Sequence, residues 1–207
     1  MSVSIEEVNG VKHAPKVEGV LPLFHTRWSP RSFSDREVSL EDLAKVFEAA
    51  RWAASSYNEQ PWRFIVGVRG TTAYRKIFDS LMPFNQLWAT SAPVLILGAA
   101  KTKFSHNDTP NRVAFYDLGA AASYLTLQAA ALGIATHQMG GFDEKAARKA
   151  FAIPDDYLIG AVIALGYQDE PDKLPNEQFK SQEVAPRSRK PLKDIVFSAW
   201  DTPADLG

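Results

Sequence analysis

Two parts of this 207-residue sequence carry side chains suited to chemistry rather than packing. The first is the run Ser55-Ser56-Tyr57-Asn58-Glu59-Gln60-Pro61-Trp62-Arg63-Phe64. The amides of Asn58 and Gln60 each offer both a donor and an acceptor, which suits the edge of a flat heteroaromatic ring. Pro61 gives up a backbone donor and pushes Gln60 out of helical geometry. The second part is dispersed: Arg27 lies near the start of the chain, Arg187 and Arg189 near its end. A phosphate monoester is close to a dianion, and the planar guanidinium fork matches it with charge-assisted, often bidentate hydrogen bonds. Ser29 could add a hydroxyl donor, and an extended Arg187-Ser188-Arg189 puts two guanidinium groups on one side. Taken alone, the first run also reads as an ordinary polar loop, and the stretch from Arg187 to Lys193 as a solvated basic tail. Residue type leaves both readings open.

The elements that must position these groups follow from periodicity. Ser39-Leu40-Glu41-Asp42 starts a helix, with Ser39 as cap and acids in the first turn. Leu40, Leu43, Val46, Phe47 and Ala50 continue it at helical spacing to about Ala54, where it delivers the amide-rich run. Phe64–Val68 reads as a strand and Ala73–Leu81 as a helix, followed by a loop or broken helix over Pro83–Trp88. Pro93–Gly98 and Tyr157–Gly166 are continuous apolar runs, the mark of strands buried on both faces. Lys101–Asn111 reads as a surface loop that could serve as a lid. Arg112–Leu132 is a long alanine-rich helix that Gly133 ends, suited either to a buried centre or to a subunit interface. A shorter helix covers Asp143–Phe151. Residues 1–20 lack a clear period and read as an N-terminal arm. Residues 168–207 are polar and proline-rich, a tail too poor in apolar side chains to fold alone, expected to lie extended across a surface or stay disordered. No linker divides residues 1–207, so a single domain is expected.

Composition narrows the function classes. A formal net charge of −1 gives no general pull toward nucleic acid or an anionic membrane. The absence of cysteine removes disulfides, thiolate metal sites and a cysteine nucleophile. The four histidines, His13, His25, His106 and His137, share no metal-ligand spacing, so no metal is expected. No apolar run approaches the roughly 20 residues of a membrane span, and the polar, acidic start does not read as a signal peptide, so a cytoplasmic protein is expected. Glycine-rich dinucleotide and phosphate loops, His-Glu-x-x-His and Gly-x-Ser-x-Gly are all missing.

The amide-rich run resembles the signature of the FMN-dependent nitroreductases, the NAD(P)H-dependent flavin oxidoreductases, in which a small-Ser-Ser-x-Asn-x-Gln-Pro-Trp segment precedes the first strand. Three further segments match in the family's order. Arg27-Trp28-Ser29-Pro30-Arg31-Ser32-Phe33 is similar to its Arg-x-Ser-x-Arg-x-Phe. Ala131-Leu132-Gly133-Ile134-Ala135 with Gly140-Gly141-Phe142 is similar to its Ala-x-Gly-Leu segment and glycine turn. Arg187-Ser188-Arg189-Lys190-Pro191-Leu192 is similar to its basic tail. The resemblance implies an α+β fold, with a four- or five-stranded mixed central sheet flanked by helices. It also implies an intertwined homodimer in which a tail strand, here Lys193–Phe197, joins the partner's sheet.

It further implies bound FMN at the subunit interface. Arg27, Arg187 and Arg189 would hold its phosphate, with Trp28 and Ser29 beside them. Ser55, Ser56, Asn58 and Gln60 would meet the ring, with Asn58 expected from the other subunit. Asn85 would lie toward N5, Gly140 and Gly141 would let backbone press close to the ring, and Arg31 is the candidate cation near N1 and O2. The sequence departs from the family at Ala54, where proline is usual, and at Tyr57, where a small residue is common. It departs again after Asn85, where Gln86 and Leu87 follow instead of a lysine. Phe84, Trp88, Phe104 and His106 are candidates to cover the ring and meet substrate. The expected reaction is ping-pong hydride transfer from NAD(P)H to a nitroaromatic, quinone or enone, with no side chain acting as an obligate acid or base. Alternatives are a flavin-storing or flavin-sensing protein, or a flavin-cleaving or dehalogenating relative.

Overall fold

The computed structural model describes residues 3–206. Its centre is a sheet of four strands, β1 (Trp62–Val68), β2 (Val94–Lys101), β3 (Ala135–Met139) and β4 (Tyr157–Gly166), in the order β1-β2-β4-β3. All three pairings are antiparallel: Val68 faces Val94, Val94 faces Leu165, and Ala135 faces Gly166. The resemblance implied a mixed sheet; within this chain every neighbour is antiparallel. Seven of the eight β2 residues are buried, as a continuous apolar run demands of a strand covered on both faces. β4 meets that expectation only from Val162 to Gly166, and Leu158 near its start is 45% exposed. β3 is not apparent from periodicity, because its Thr136-His137-Gln138 centre is polar and it forms an edge of the sheet.

Among the described residues eight α-helices surround this sheet: α1 (Ile5–Lys12), α2 (Pro22–Thr26), α3 (Leu40–Arg51), α4 (Thr72–Ser80), α5 (Pro83–Ala89), α6 (Ala114–Ala131), α7 (Glu144–Phe151) and α8 (Glu177–Val184). The alternation of β2 sends Val94 and Ile96 into one core with Leu43, Val46, Leu118 and Leu125 of α3 and α6. Leu95 and Leu97 enter the other with Ile77, Trp88 and Ala147 of α4, α5 and α7. Ser39 caps α3 as expected, its Oγ accepting from the Asp42 amide at 3.0 Å. Gly133, at φ 73°, ends α6 in the left-handed conformation glycine permits, and the Ile134 amide donates back to the Ala129 carbonyl.

Helix α6 fills the buried central role: Ala121, Leu125 and Ala129 are fully buried, while Phe115, Tyr116 and Tyr124 remain 52%, 79% and 46% exposed.

The two ends of the chain are more ordered than their sequences suggest. Residues 5–12, expected in a loose arm, form α1, whose Ser4 and Glu7 make reciprocal capping bonds and whose Val8 is fully buried. The expected extended tail instead folds from Pro171 to Val184. Asn176 caps α8, which inserts Phe179 into the core, so one aromatic side chain anchors a segment poor in apolar residues. Beyond it, Leu192–Asp194 make a 3-10 turn, and β5 (Phe197–Ala199) pairs with β6 (Thr202–Pro203) of the same tail. The Lys193–Phe197 strand is therefore not formed in this chain; its first two residues belong to the turn.

Candidate functional site

The loop Arg27–Ser32 leaves α2 and runs beneath the end of the tail. Arg27 and Arg187 are separated by 160 residues, yet the Arg187 Nη1 donates to the Arg27 carbonyl at 2.7 Å, and its Nη2 donates to the His25 carbonyl. These bonds hold the tail against α2. Arg189 lies close enough for its charge to act on both partners. Burial holds the Arg27 guanidinium below the usual arginine range, and the Arg189 charge lowers it further. The same order of causes, burial and then Arg27 and Arg189, lowers Arg187. Among the described residues none of the three forms an ion pair, and the Arg187 Nε is buried without a hydrogen-bond partner. Three mutually repelling cations without a carboxylate are a costly arrangement unless an anion joins them.

Ser29 stands beside this cluster, its Oγ accepting from Arg27 Nη1 at 3.3 Å. A cleft of about 360 Å³ opens there, lined by Phe24, Arg27, Ser29, Ser123, Thr126 and Gln138, so α6 and β3 form its far wall. Trp28 turns away from the cleft. Its Nε1 donates to Asn9 Oδ1 at 3.0 Å and the Lys12 ammonium lies 5.0 Å from its ring, so it fixes α1 to the loop. Arg31 also points inward: burial lowers its pKa, its Nε has no partner, and its guanidinium lies 5.8 Å from the Phe179 ring. Beneath the loop, His137 of β3 hydrogen-bonds the Pro30 carbonyl through Nδ1 at 3.0 Å. Burial, then the positive charge of Arg31, pushes His137 down to about 4, so near neutrality it is uncharged and Nδ1 is the donor.

A second group forms around the glycine turn. The Asn85 Nδ2, in the first turn of α5, donates to the Gly141 carbonyl at 2.9 Å, and the Met82 amide donates to the same oxygen at 3.0 Å. A Cβ on Gly141 would sit 2.6 Å from that Nδ2, so glycine is required for the amide to close on the turn. A Cβ on Gly140 would meet nothing within 4 Å, so no contact inside the chain demands glycine there.

The amide-rich run is elsewhere. Tyr57, Asn58 and Gln60 all have positive φ, 53°, 54° and 51°, an unusual density of left-handed residues without glycine. The run holds itself in place: Ser55 Oγ accepts from the Gln60 amide at 3.0 Å, and Gln60 Nε2 donates to the Asn58 carbonyl at 3.0 Å. The Ser56 amide donates to the buried Asp117 at 3.1 Å, tying the run to the first turn of α6. Asp117 and Thr126 are nine positions apart on this helix, about 13 Å along its axis. The cleft beside Arg27 includes none of residues 55–60.

The candidate covering residues divide. Phe104 and His106 pack on the 83% exposed Tyr57, at 5.6 and 5.9 Å between ring centres, and Glu59 fastens their loop through the Ser105 amide and hydroxyl. Phe84 is 46% exposed and touches Phe179. Trp88 must be withdrawn: it is 1% exposed, between Phe33 and His137, because α5 turns this side chain into the core. Sequence reasoning also missed two supports of the arginine loop, His137 and Glu183, the latter accepting from the Arg31 and Ser32 amides; neither lies in a motif.

The nitroreductase family model matches residues 25–85 and 68–167. A protein of Archaeoglobus fulgidus that carries the provisional name NADH dehydrogenase/NAD(P)H nitroreductase is 34% identical over 161 residues, 75% of this chain and 90% of its own. The major NAD(P)H-flavin oxidoreductase of Aliivibrio fischeri is 35% identical over 94 residues, 42% of this chain and 43% of its own. Among solved structures, an oxidoreductase containing FMN superposes with a TM-score of 0.84 at 33% identity, covering 92% of this chain and 96% of that one. With more than half of the chain matched and the motif residues in their family order, this protein belongs to the nitroreductase family.

Proposed function

We propose that the protein is an FMN-dependent oxidoreductase that takes reducing equivalents from NAD(P)H and delivers them to a nitroaromatic, quinone or enone acceptor. The observation that carries this reading is the convergence of Arg27, Arg187 and Arg189 without a carboxylate partner, a site shaped for a phosphate monoester. The family membership and the relatives named for NAD(P)H and FMN support it. When bound, FMN would supply the redox chemistry, carrying hydride equivalents (two electrons and a proton) from NAD(P)H to the acceptor.

The chain's own residues bind, orient and shield. Arg27, Arg189 and the unpartnered Arg187 Nε take the phosphate, and Ser29 adds a hydroxyl. Arg31, held behind the loop against Phe179, would supply the positive charge for the ring's N1 and O2 side from within the protein, where low dielectric strengthens it. Asn85 fixes the Gly140–Gly141 turn, and Gly140 leaves space for the ring to approach. Ser55, Ser56, Asn58 and Gln60 meet the ring from a second copy of the chain, because one copy does not bring them to the arginine cleft. The exposed apolar side of α6 and the exposed Leu192, Ile195 and Trp200 of the tail support such a homodimer. Phe84, Phe104 and His106 are assigned to the acceptor side.

The test is the visible absorption spectrum of the purified protein, before and after anaerobic NADPH or NADH. A yellow protein that bleaches within a turnover time is the expected result. A yellow protein that does not bleach would move the reading to flavin storage or sensing. A colourless protein that also fails to take up added FMN would overturn it.

A further inference from the structure

Glu183, on α8, is 1% exposed, although its neighbours on that helix are mostly polar and solvated. One of its oxygens, Oε1, accepts from two consecutive amides of the arginine loop, Arg31 at 2.8 Å and Ser32 at 3.2 Å. The other, Oε2, is buried with no partner among the described residues. Two cations face the carboxyl group: Arg31 from the loop and Lys12 from α1, whose ammonium donates to the Gln182 carbonyl at 2.8 Å. Neither closes to ion-pair distance. Burying a carboxyl group is costly, and a structural anchor alone would be served as well by an apolar side chain. What an apolar side chain cannot do is take two adjacent loop amides on a single oxygen.

We infer that Glu183 is a positioning residue for the phosphate-binding loop, gripping the Arg31 and Ser32 amides so that Arg27, Ser29 and Arg31 keep one orientation toward the cofactor. The inference rests on the FMN reading above and deepens it. It gives α8 a role distinct from that of the tail arginines: Arg187 ties α2 to the tail, and Glu183 sets the turn that follows. His137 completes the grip from the opposite side by holding the Pro30 carbonyl, and Ser32 Oγ adds a bond to the Glu170 carbonyl at 2.7 Å. Burial pushes the Glu183 pKa up against the two amides that lower it. A proton on Oε2 would leave Oε1 free to accept both amides, so glutamine is a close mimic of the neutral acid.

Two variants separate positioning from packing. Glu183→Gln keeps the acceptor oxygen at its place, whereas Glu183→Asp keeps the acid but withdraws it by about 1.5 Å, one carbon–carbon bond. The primary readout is the ratio of FMN to riboflavin affinity in the apoprotein, since riboflavin lacks only the phosphate. E183D is expected to lower this preference about tenfold, the worth of one charge-assisted hydrogen bond, with E183Q close to wild type. The second readout is amide hydrogen exchange at Arg31 and Ser32, slow in wild type and E183Q and faster in E183D. Wild-type preference and exchange in both variants would overturn the inference, as would an equal loss in both. A wild-type protein with no preference for FMN over riboflavin would remove the phosphate reading instead, and the exchange measurement would still decide whether Glu183 holds the loop.

Discussion

The arginine cluster and the amide-rich run solve opposite problems. Around Arg27, Arg187 and Arg189 no residue has a positive φ and the charges are frustrated: like charges act on one another, one buried donor is unused, and no carboxylate among the described residues pairs with them. Around Ser55–Gln60 the hydrogen bonds are satisfied, within the run and to Asp117 and Ser105, and the backbone is frustrated, with three left-handed residues costing about 1 kcal/mol or more each. The first region stores its unmet demand in electrostatics and the second in conformation. Electrostatic frustration is relieved when a ligand binds. Conformational strain is tolerated because the surroundings, here Asp117 and the Tyr57–Phe104–His106 contacts, over-determine it.

Breaking the arginine side should have the largest effect. Arg189→Ala or Arg27→Ala is expected to weaken FMN by about 10- to 100-fold, from the loss of charge-assisted bonds. The apoprotein's melting temperature should be unchanged or slightly higher, since repulsion is relieved. Flavin titration together with melting curves would show it, and unchanged flavin occupancy would sink the phosphate assignment.

An intermediate effect should come from pH, again on the arginine side alone. His137 is neutral in the fold down to about 4, whereas in the unfolded chain it gains a proton near 6.5. The unfolded state therefore binds more protons between these values, and stability falls as pH drops through that window. Glu183 contributes the opposite sign, because its raised pKa makes the folded state the better proton binder above the unfolded carboxyl value. Denaturant unfolding at pH 6.5 and pH 4.5 should give a smaller acid loss in His137→Gln than in wild type. Equal losses would mean His137 is not held neutral.

The smallest effect should come from the amide-rich run. Ser55→Ala removes the acceptor of the Gln60 amide and should cost about 1 kcal/mol of stability. If the comparison holds, it should also alter FMN and riboflavin affinity in equal proportion, because the proposed place of this run is at the ring and not at the phosphate. A loss confined to FMN would contradict the division.

Much of this was legible because motif and pattern coincided. β2 announces itself through an unbroken apolar run, α3 through a Ser39 cap and helical spacing, and the end of α6 through Gly133. Residue type allowed the arginines to be grouped as an anion site, and the family resemblance gave the reason to prefer that grouping, since no local rule links residues 27 and 187. α8 was not legible: of its eight residues the two that turn inward are Phe179 and Glu183, and a buried glutamate erases the hydrophobic period. α1 failed for a similar reason, with Lys12 facing inward beside Val8. Trp88 was misassigned because an aromatic residue in a short, proline-started helix carries no mark of which side it faces.

The bond from Arg187 to the carbonyls of Arg27 and His25 has a consequence for biosynthesis. It joins the first seventh of the chain to the last, across 160 and 162 residues. At roughly 5–20 residues per second, α2 and its loop leave the ribosome about ten seconds or more before the arginines that complete them. The sheet and most of its two cores can form in that interval; the arginine cluster cannot. A chain that stalls or is clipped before residue 187 can thus be largely folded yet lack the completed cluster.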